Sequence, residues 1–200
     1  MAIQAVIFDI EGVLLRKVDS SAERKWEDRL DLEEGELSRA IDRAGVSGAA
    51  NLGKVTAAEA WKRVGEHFGL NDAEVQELEQ DIWSGYELNH ELADFLQGVR
   101  SRYKTATVSN GWSNAREVLS RRFGIDKLVD TMIISSEVGL TKIDARLFQL
   151  AMFRLNVWPE DTIFVDDDTT AFDSAWLLGM KAVQFKDNEQ AIAAIQKYLA

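Results

Sequence analysis

Residues 5–12 read Ala-Val-Ile-Phe-Asp-Ile-Glu-Gly, and the fold turns on how they are read. Ala5 to Phe8 is a continuous apolar run of strand length, which predicts a strand buried on both faces. The run ends on Asp9, Glu11 follows two positions later, and Gly12 closes the segment. Residues i and i+2 of an extended chain share a face, so two carboxylates crowd one side of the strand end. Like charges in that position repel unless a cation or an acidic proton lies between them. The segment is therefore either a solvated strand end or a site.

Four more short apolar runs follow at a distance: Thr105–Ser109, Met132–Ser135, Thr162–Asp166 and Ala182–Phe185. Stretches with helical periodicity separate or follow them, over Asn114–Phe123, Ala145–Leu155, Thr170–Leu178 and Asn188–Leu199. Apolar strands alternating with amphipathic helices predict an α/β fold, a parallel sheet covered by helices on both faces. Residues 16–87 differ: they are charged and helix-patterned, with no convincing strand. Thr56 with Glu59, and Asn71 with Glu74, have the spacing of capping boxes at helix starts. An all-helical insertion thus interrupts the α/β domain after its first strand. The predicted division is a core of residues 1–15 and 88–200 and an inserted unit of 16–87. The first strand must then pair with strands much later in the chain.

The chain has 200 residues, 46% of them hydrophobic, enough for one domain with a sizeable insertion. Acidic residues outnumber basic ones 34 to 23, for a net charge of −11. That argues against nucleic acid and anionic membranes as partners, though not against an anionic substrate met by a local cluster of positive charge. There is no cysteine, which excludes disulfides, thiolate catalysis and cysteine-ligated zinc. Two histidines, His67 and His90, are too few for a multi-histidine metal site, and both read as packing or surface groups. No run approaches the roughly 20 apolar residues of a membrane span, and no targeting segment precedes the first strand. The expectation is a soluble cytoplasmic protein, monomeric or homodimeric.

Polar residues fall at matching places on four of the five strands. The first ends in Asp9; the second in Ser109-Asn110-Gly111; the third is followed by a loop with Lys142; the fourth ends in Asp166-Asp167-Asp168. Ligands of open parallel sheets bind at the carboxyl ends of the strands, so all four groups converge on one edge. Read alone, each has a plain structural meaning: a capping aspartate, a Ser-Asn-Gly turn, a solvated lysine, an acidic helix cap.

With FDIEGVL, TVSNG, GLTKIDARLF and IFVDDDTTAFDSAWLLGM in this order, the chain resembles the haloacid dehalogenase (HAD) superfamily, which is mostly phosphatases. That family carries Asp-x-Asp-Gly after its first strand, Thr or Ser after the second, then a Lys, often as Lys-Pro-Asp, and a last strand ending in acidic residues. The resemblance spans residues 1–15 and 88–200, and the insertion resembles the family's small cap. It implies a Rossmann-like core and a role for each matched residue. Asp9 is the nucleophile, attacking phosphorus to form an aspartyl-phosphate. Asp167, with Asp166 beside it, holds Mg²⁺ together with Asp9 and the carbonyl of Glu11. Asp167 is the favoured direct ligand, because adjacent strand-end residues point to opposite sides and the family's usual ligand aligns with Asp167. Ser109 and Asn110 bind the substrate phosphate, aided by the backbone N–H groups of Asn110 and Gly111, and Lys142 sets a positive charge against phosphate and Asp9.

Three positions depart from the family pattern. Glu11 stands where the phosphatases have a second Asp, the general acid and base. Glutamate does the same chemistry but is one methylene longer, so it is a retuned acid/base, a poor one, or a residue contributing only its carbonyl to metal. Ile143 replaces the common Pro, and Ala171 stands where relatives have Asn or Asp. The expected activity is magnesium-dependent hydrolysis of small phosphorylated metabolites. The rivals are a metal-independent 2-haloacid dehalogenase with the same Asp nucleophile, and a degenerate relative that binds without turnover. Of the six tryptophans, Trp61, Trp83 and Trp176 read as core; Trp112, beside Ser-Asn-Gly, either lines a pocket or anchors its loop.

Overall fold

Five strands form one parallel sheet in the computed structural model, which describes residues 2–200. In chain order the elements begin with β1 (Ala5–Phe8), β2 (Leu15–Lys17), α1 (Ser21–Leu30), α2 (Leu37–Arg43), α3 (Ser47–Asn51), α4 (Ala57–Phe68), α5 (Asp72–Ser84) and β3 (Tyr86–Leu88). They continue with α6 (His90–Arg100), β4 (Lys104–Ser109), α7 (Ala115–Phe123), α8 (Ile125–Leu128), β5 (Thr131–Ile134), α9 (Ser135–Val138) and α10 (Ala145–Leu155). Last come β6 (Thr162–Asp166), α11 (Phe172–Leu177), β7 (Lys181–Gln184) and α12 (Asn188–Leu199). The sheet order is β5-β4-β1-β6-β7. β1 is central, with Phe8 opposite Thr107 of β4 on one side and Val165 of β6 on the other. The chain builds outward from β1 in one direction and then returns to build in the other. That reversal is the point in a doubly wound sheet where a crevice opens at the strand ends.

All four residues of β1 are fully buried, as a central strand covered on both faces requires. Their alternation assigns two cores. Val6 and Phe8 join one core with residues of α6, α7, α8 and α12; Ala5 and Ile7 join another with α10 and α11. Burying Ile7 and Phe8 stabilises the fold by about 1.5–3 kcal/mol each. The helices between β2 and β3 enclose a third core around Trp26, Leu37, Trp61 and Leu78. Both capping boxes form: Thr56 accepts from the Glu59 N–H and Glu59 from the Thr56 N–H, and Asn71 and Glu74 do the same. No helix of the described residues is long and apolar enough to cross a membrane.

Four details differ from the sequence reading. Residues 16–87 are not wholly helical, because β2 and β3 pair antiparallel, Arg16 opposite Glu87 and Lys17 opposite Tyr86. Three-residue strands are too short to show alternation, and their partners lie far apart in sequence. The two chain crossings are further drawn together at Gly85, whose carbonyl accepts from Val18 and Asp19. A Cβ on Gly85 would lie 1.8 Å from the Asp19 carbonyl oxygen, so glycine is required there. Helix α6 follows directly, in a stretch for which the sequence patterns above give no helix. The helix expected over Thr170–Leu178 begins as a 3₁₀ turn at Thr169–Ala171 before α11. Finally, Trp176 is 56% exposed on α11, meeting Phe172 edge-on, whereas Trp61 and Trp83 pack inward as expected.

Candidate active site

Asp9 follows β1 immediately, and its N–H donates to the Val165 carbonyl of β6, so the strand pairing itself holds it in place. Only 4% of Asp9 is exposed. The Lys142 ammonium stands 2.9 Å from Asp9 Oδ2 and 2.9 Å from Asp166 Oδ2. Asp9 Oδ1 is buried without any hydrogen-bond partner, which is costly for a carboxylate oxygen unless a ligand fills the place. Burial raises the Asp9 carboxyl from an ordinary 3.8 to about 8. Lys142 opposes that rise and Asp166 adds to it.

The two neighbouring acids of β6 differ in environment. Asp166 is fully buried; its Oδ1 accepts from the Asp168 N–H and its Oδ2 from Lys142. Burial raises its pKa against the pull of Lys142. Asp167 is exposed and packs on Gly12: a Cβ there would lie 2.3 Å from Asp167 Oδ2. Gly12 also has φ +80°, so both its missing side chain and its conformation admit that carboxylate. Carboxylate oxygens of Asp9, Asp166 and Asp167 all lie within 4.8 Å of one another, an arrangement able to hold a metal ion. Three acids this close, one with an unpartnered buried oxygen, are the oxygen donor set that a hard divalent cation takes. Asp168 is occupied otherwise, capping Thr170 through both its oxygens.

Lys142 is 12% exposed through its side chain. Burial lowers its pKa, but the charges of Asp9 and Asp166 overcome that and hold it raised. Its backbone N–H donates to Asn110 Oδ1 at 3.0 Å, so the Asn110 side chain ties the lysine loop to the end of β4. Ser109 is buried, its hydroxyl 3.3 Å from the Asn110 carbonyl. The Gly111 N–H is already committed to Ser135 Oγ at 3.0 Å. This corrects the expectation that it belongs to a phosphate cradle, and it gives the buried Ser135 a supporting role that a strand-end serine does not announce in sequence.

Glu11 opens to a cleft with protein on either side of it. Burial raises its carboxyl pKa, Lys142 and Lys17 pull it down, and Asp167 pushes it up. Lys17 also pairs with Glu23 at 2.5 Å and lies 5.2 Å from the centre of the Tyr86 ring. Burial and the charges of Glu11, Glu23 and Asp167 raise the Tyr86 phenol. Neither Lys17 nor Tyr86 was legible as a neighbour of Glu11, because the β2–β3 pairing brings them there.

The cleft has a volume of about 240 Å³ between the strand ends and the helices of residues 21–84. Ser109, Asn110, Gly111 and Trp112 line one wall, and Asp42, Asn51, Trp61 and Trp83 are among the residues opposite. Trp112 both lines the cleft and anchors its loop: it meets Trp61 edge-on at 5.1 Å. Next to it, Ser113 Oγ accepts from the Ala57 N–H at 2.9 Å, and Asn114 donates to Glu79 at 2.7 Å. The helices therefore close over the strand ends through the loop that carries Ser109. His67 and His90 are exposed and remote in contact from these groups. Ile143 is 70% exposed and only its carbonyl is engaged, by Ser174 Oγ; Ala171 is buried in the second core.

A family model for haloacid dehalogenase-like hydrolases matches residues 3–171. Among curated proteins, the chain is 24% identical to the D-ribitol-5-phosphate phosphatase of Bacteroides thetaiotaomicron over 91% of each. It is 23% identical, over 98% of its own length, to the bifunctional epoxide hydrolase 2 of Sus scrofa, and spans about two-fifths of that protein (39%). Among solved structures, a HAD family enzyme of B. thetaiotaomicron in complex with magnesium and inorganic phosphate superposes with TM-score 0.77 at 18% identity, over 92% of this chain and 95% of the other. The 2-haloacid dehalogenase of Pseudomonas syringae pv. Tomato also matches, with TM-score 0.67 at 17% identity over 98% of each.

Proposed function

The chain belongs to the haloacid dehalogenase-like hydrolases, and from that premise we propose that it is a magnesium-dependent phosphomonoester hydrolase acting on small phosphorylated metabolites. The observation that carries this reading is the buried Asp9 carboxylate, held on one oxygen by Lys142 and unpartnered on the other, beside Asp166 and Asp167. A 2-haloacid substrate gives such a concentration of acids no purpose. A phosphate dianion gives it one, because the acids would hold a cation whose charge offsets that of the phosphate. That the related phosphatase acts on D-ribitol 5-phosphate, and that the related structure holds magnesium with phosphate, supports the same reading.

In this reading Asp9 attacks phosphorus, a P–O bond to Asp9 forms and the P–O bond to the substrate alcohol breaks. Glu11 gives its proton to the departing alkoxide, then takes one from the water that hydrolyses the aspartyl-phosphate. Burial shifts the Glu11 carboxyl upward from its ordinary value, the direction that favours holding a proton for transfer. Lys142 lies on the phosphate side of Asp9, while Ser109 and Asn110 hold phosphate oxygens at the end of β4. Asp9, Asp167 and the carbonyl of Glu11 would hold Mg²⁺, with Asp166 behind them; when bound it offsets the charge of phosphate and acids. Residues 16–87 act as a cap over the core of 1–15 and 88–200 and exclude water from the cleft. The test is release of inorganic phosphate from an aryl phosphate. Turnover with magnesium that chelation removes is expected; halide release from a 2-haloacid without added metal, with no phosphatase activity, overturns the reading.

The raised carboxyl pKa values also predict a pH dependence of metal binding. Between 3.8 and about 8 the folded, metal-free protein keeps the Asp9 proton that the unfolded chain has lost. Stability of the metal-free protein therefore falls as pH rises through that window. Asp166 and Glu11 are shifted in the same direction and act with the same sign. Magnesium competes with these protons. Its thermal stabilisation of the protein is expected to grow from pH 6 to pH 8, as differential scanning fluorimetry would show; a shift constant over that range contradicts it.

A further inference from the structure

We propose that the cleft selects phosphate esters whose alcohol half carries hydroxyl groups and no second negative charge, and that Asp42 enforces this discrimination. The inference rests on the phosphatase reading and names its substrate class. None of the described residues lining the cleft is Lys, Arg or His, while Glu11 and Asp42 both are acidic. A carboxylate or second phosphate on the alcohol half would meet the like charge of Asp42 and no cationic partner. Asp42 is not neutralised from its own helix: the neighbouring Arg39 and Arg43 both turn to Glu36, at 3.9 and 3.4 Å.

What the cleft does offer suits a hydroxylated carbon chain. Asp42, Ser38, Ser47 and Asn51 are hydrogen-bonding groups on the helical side. Trp61, Trp83 and Trp112 supply flat apolar surface for the C–H side of the same chain. A volume of about 240 Å³ lies below the roughly 300–1,000 Å³ of drug-sized sites, which limits the alcohol to a small molecule. Arg16, Lys17 and Lys186 line a separate depression beside Gly12 and Asp167, and Lys17, the one that reaches Glu11, is paired with Glu23.

The experiment compares glycerol 3-phosphate with 3-phosphoglycerate, which differ by a hydroxymethyl against a carboxylate. It measures kcat/KM for each with magnesium in the wild type, Asp42→Asn and Asp42→Lys. The wild type is expected to prefer the neutral ester by roughly tenfold or more, with the ratio narrowed in Asp42→Asn and levelled or reversed in Asp42→Lys. The ratio is the readout, so a general loss of folded enzyme cancels from it. Preference of the wild type for the carboxylate, or a ratio unmoved by Asp42→Lys, overturns the inference. A carboxylate preference abolished by Arg16→Gln with Lys186→Gln would assign the alcohol half to the other depression. Where the wild type turns over neither ester, their thermal stabilisation of the magnesium-loaded protein is ranked instead; stabilisation by neither, or more by the carboxylate, overturns it. Halide release with no phosphatase activity sinks the phosphatase reading and this inference with it, whereas failure of the ratio while phosphate is still released sinks this inference alone.

Discussion

Asp9→Asn is expected to lower phosphate release by at least about ten-thousandfold, because it removes the attacking oxygen rather than weakening its setting. The same change is expected to raise the stability of the metal-free protein near neutral pH. Asp9 is 4% exposed and faces Asp166 across a single ammonium, and its ionised form carries a desolvation cost that an amide avoids. The gain is on the order of 1–3 kcal/mol, read as a rise of about 2–4 °C in Tm per kcal/mol for a chain of this size. An amide oxygen still accepts from Lys142, so the site keeps its shape. The magnesium-induced thermal shift should shrink at the same time, since one anionic donor is gone. Activity lost together with stability would mean that the substitution damages the fold, and turnover retained would remove Asp9 from the reaction altogether.

Lys142→Met is expected to fail in the opposite way, losing both activity and stability. Its ammonium stands 2.9 Å from each of two buried carboxylates, and taking one partner out of a buried charge cluster costs about 3–5 kcal/mol. The acids relieve part of that by holding a proton, so the deficit measured by urea denaturation should deepen as pH rises from 6 to 8. Magnesium is expected to restore part of the stability, since it supplies positive charge beside the same acids, but not the activity. Turnover should fall by about a hundredfold to a thousandfold, in the range measured for losing one preorganised positive or hydrogen-bonding group at a developing charge. A variant as stable as the wild type across that pH range would show that Asp9 and Asp166 do not depend on Lys142.

How much of this was legible beforehand depends on the range of each signal. The sheet was legible because apolar runs at 5–8, 105–109, 132–135, 162–166 and 182–185 report burial directly, and burial is a local property of each run. The helices of the insertion announced themselves through Thr56/Glu59 and Asn71/Glu74, whose reciprocal bonds close within three residues. That Asp9, Ser109, Lys142 and the acids of β6 share one edge followed from the rule that parallel strands deliver their carboxyl ends together. The β2–β3 pairing was not legible, since three-residue strands carry no period and the pair spans the whole insertion. Helical spacing places Trp176 on a shared face but does not say whether anything covers that face, and Trp176 is left 56% exposed.

The sequence by itself thus determined the class of fold, the order of the reactive strand ends and the family to which they belong. These are carried by patterns whose physics is complete within a few residues. Only the tertiary structure decided which oxygen of Asp9 is left without a partner, and that Asp166 is walled in while Asp167 stays open against Gly12. It alone showed that the Gly111 N–H is spent on Ser135 and that Asp42 faces the cleft without a cation. Those outcomes rest on contacts such as Lys142 to Asp166 and Gly111 to Ser135, each 24 positions apart. Packing of separate elements, not periodicity along the chain, determines which polar atoms at such separations meet and which remain for a ligand.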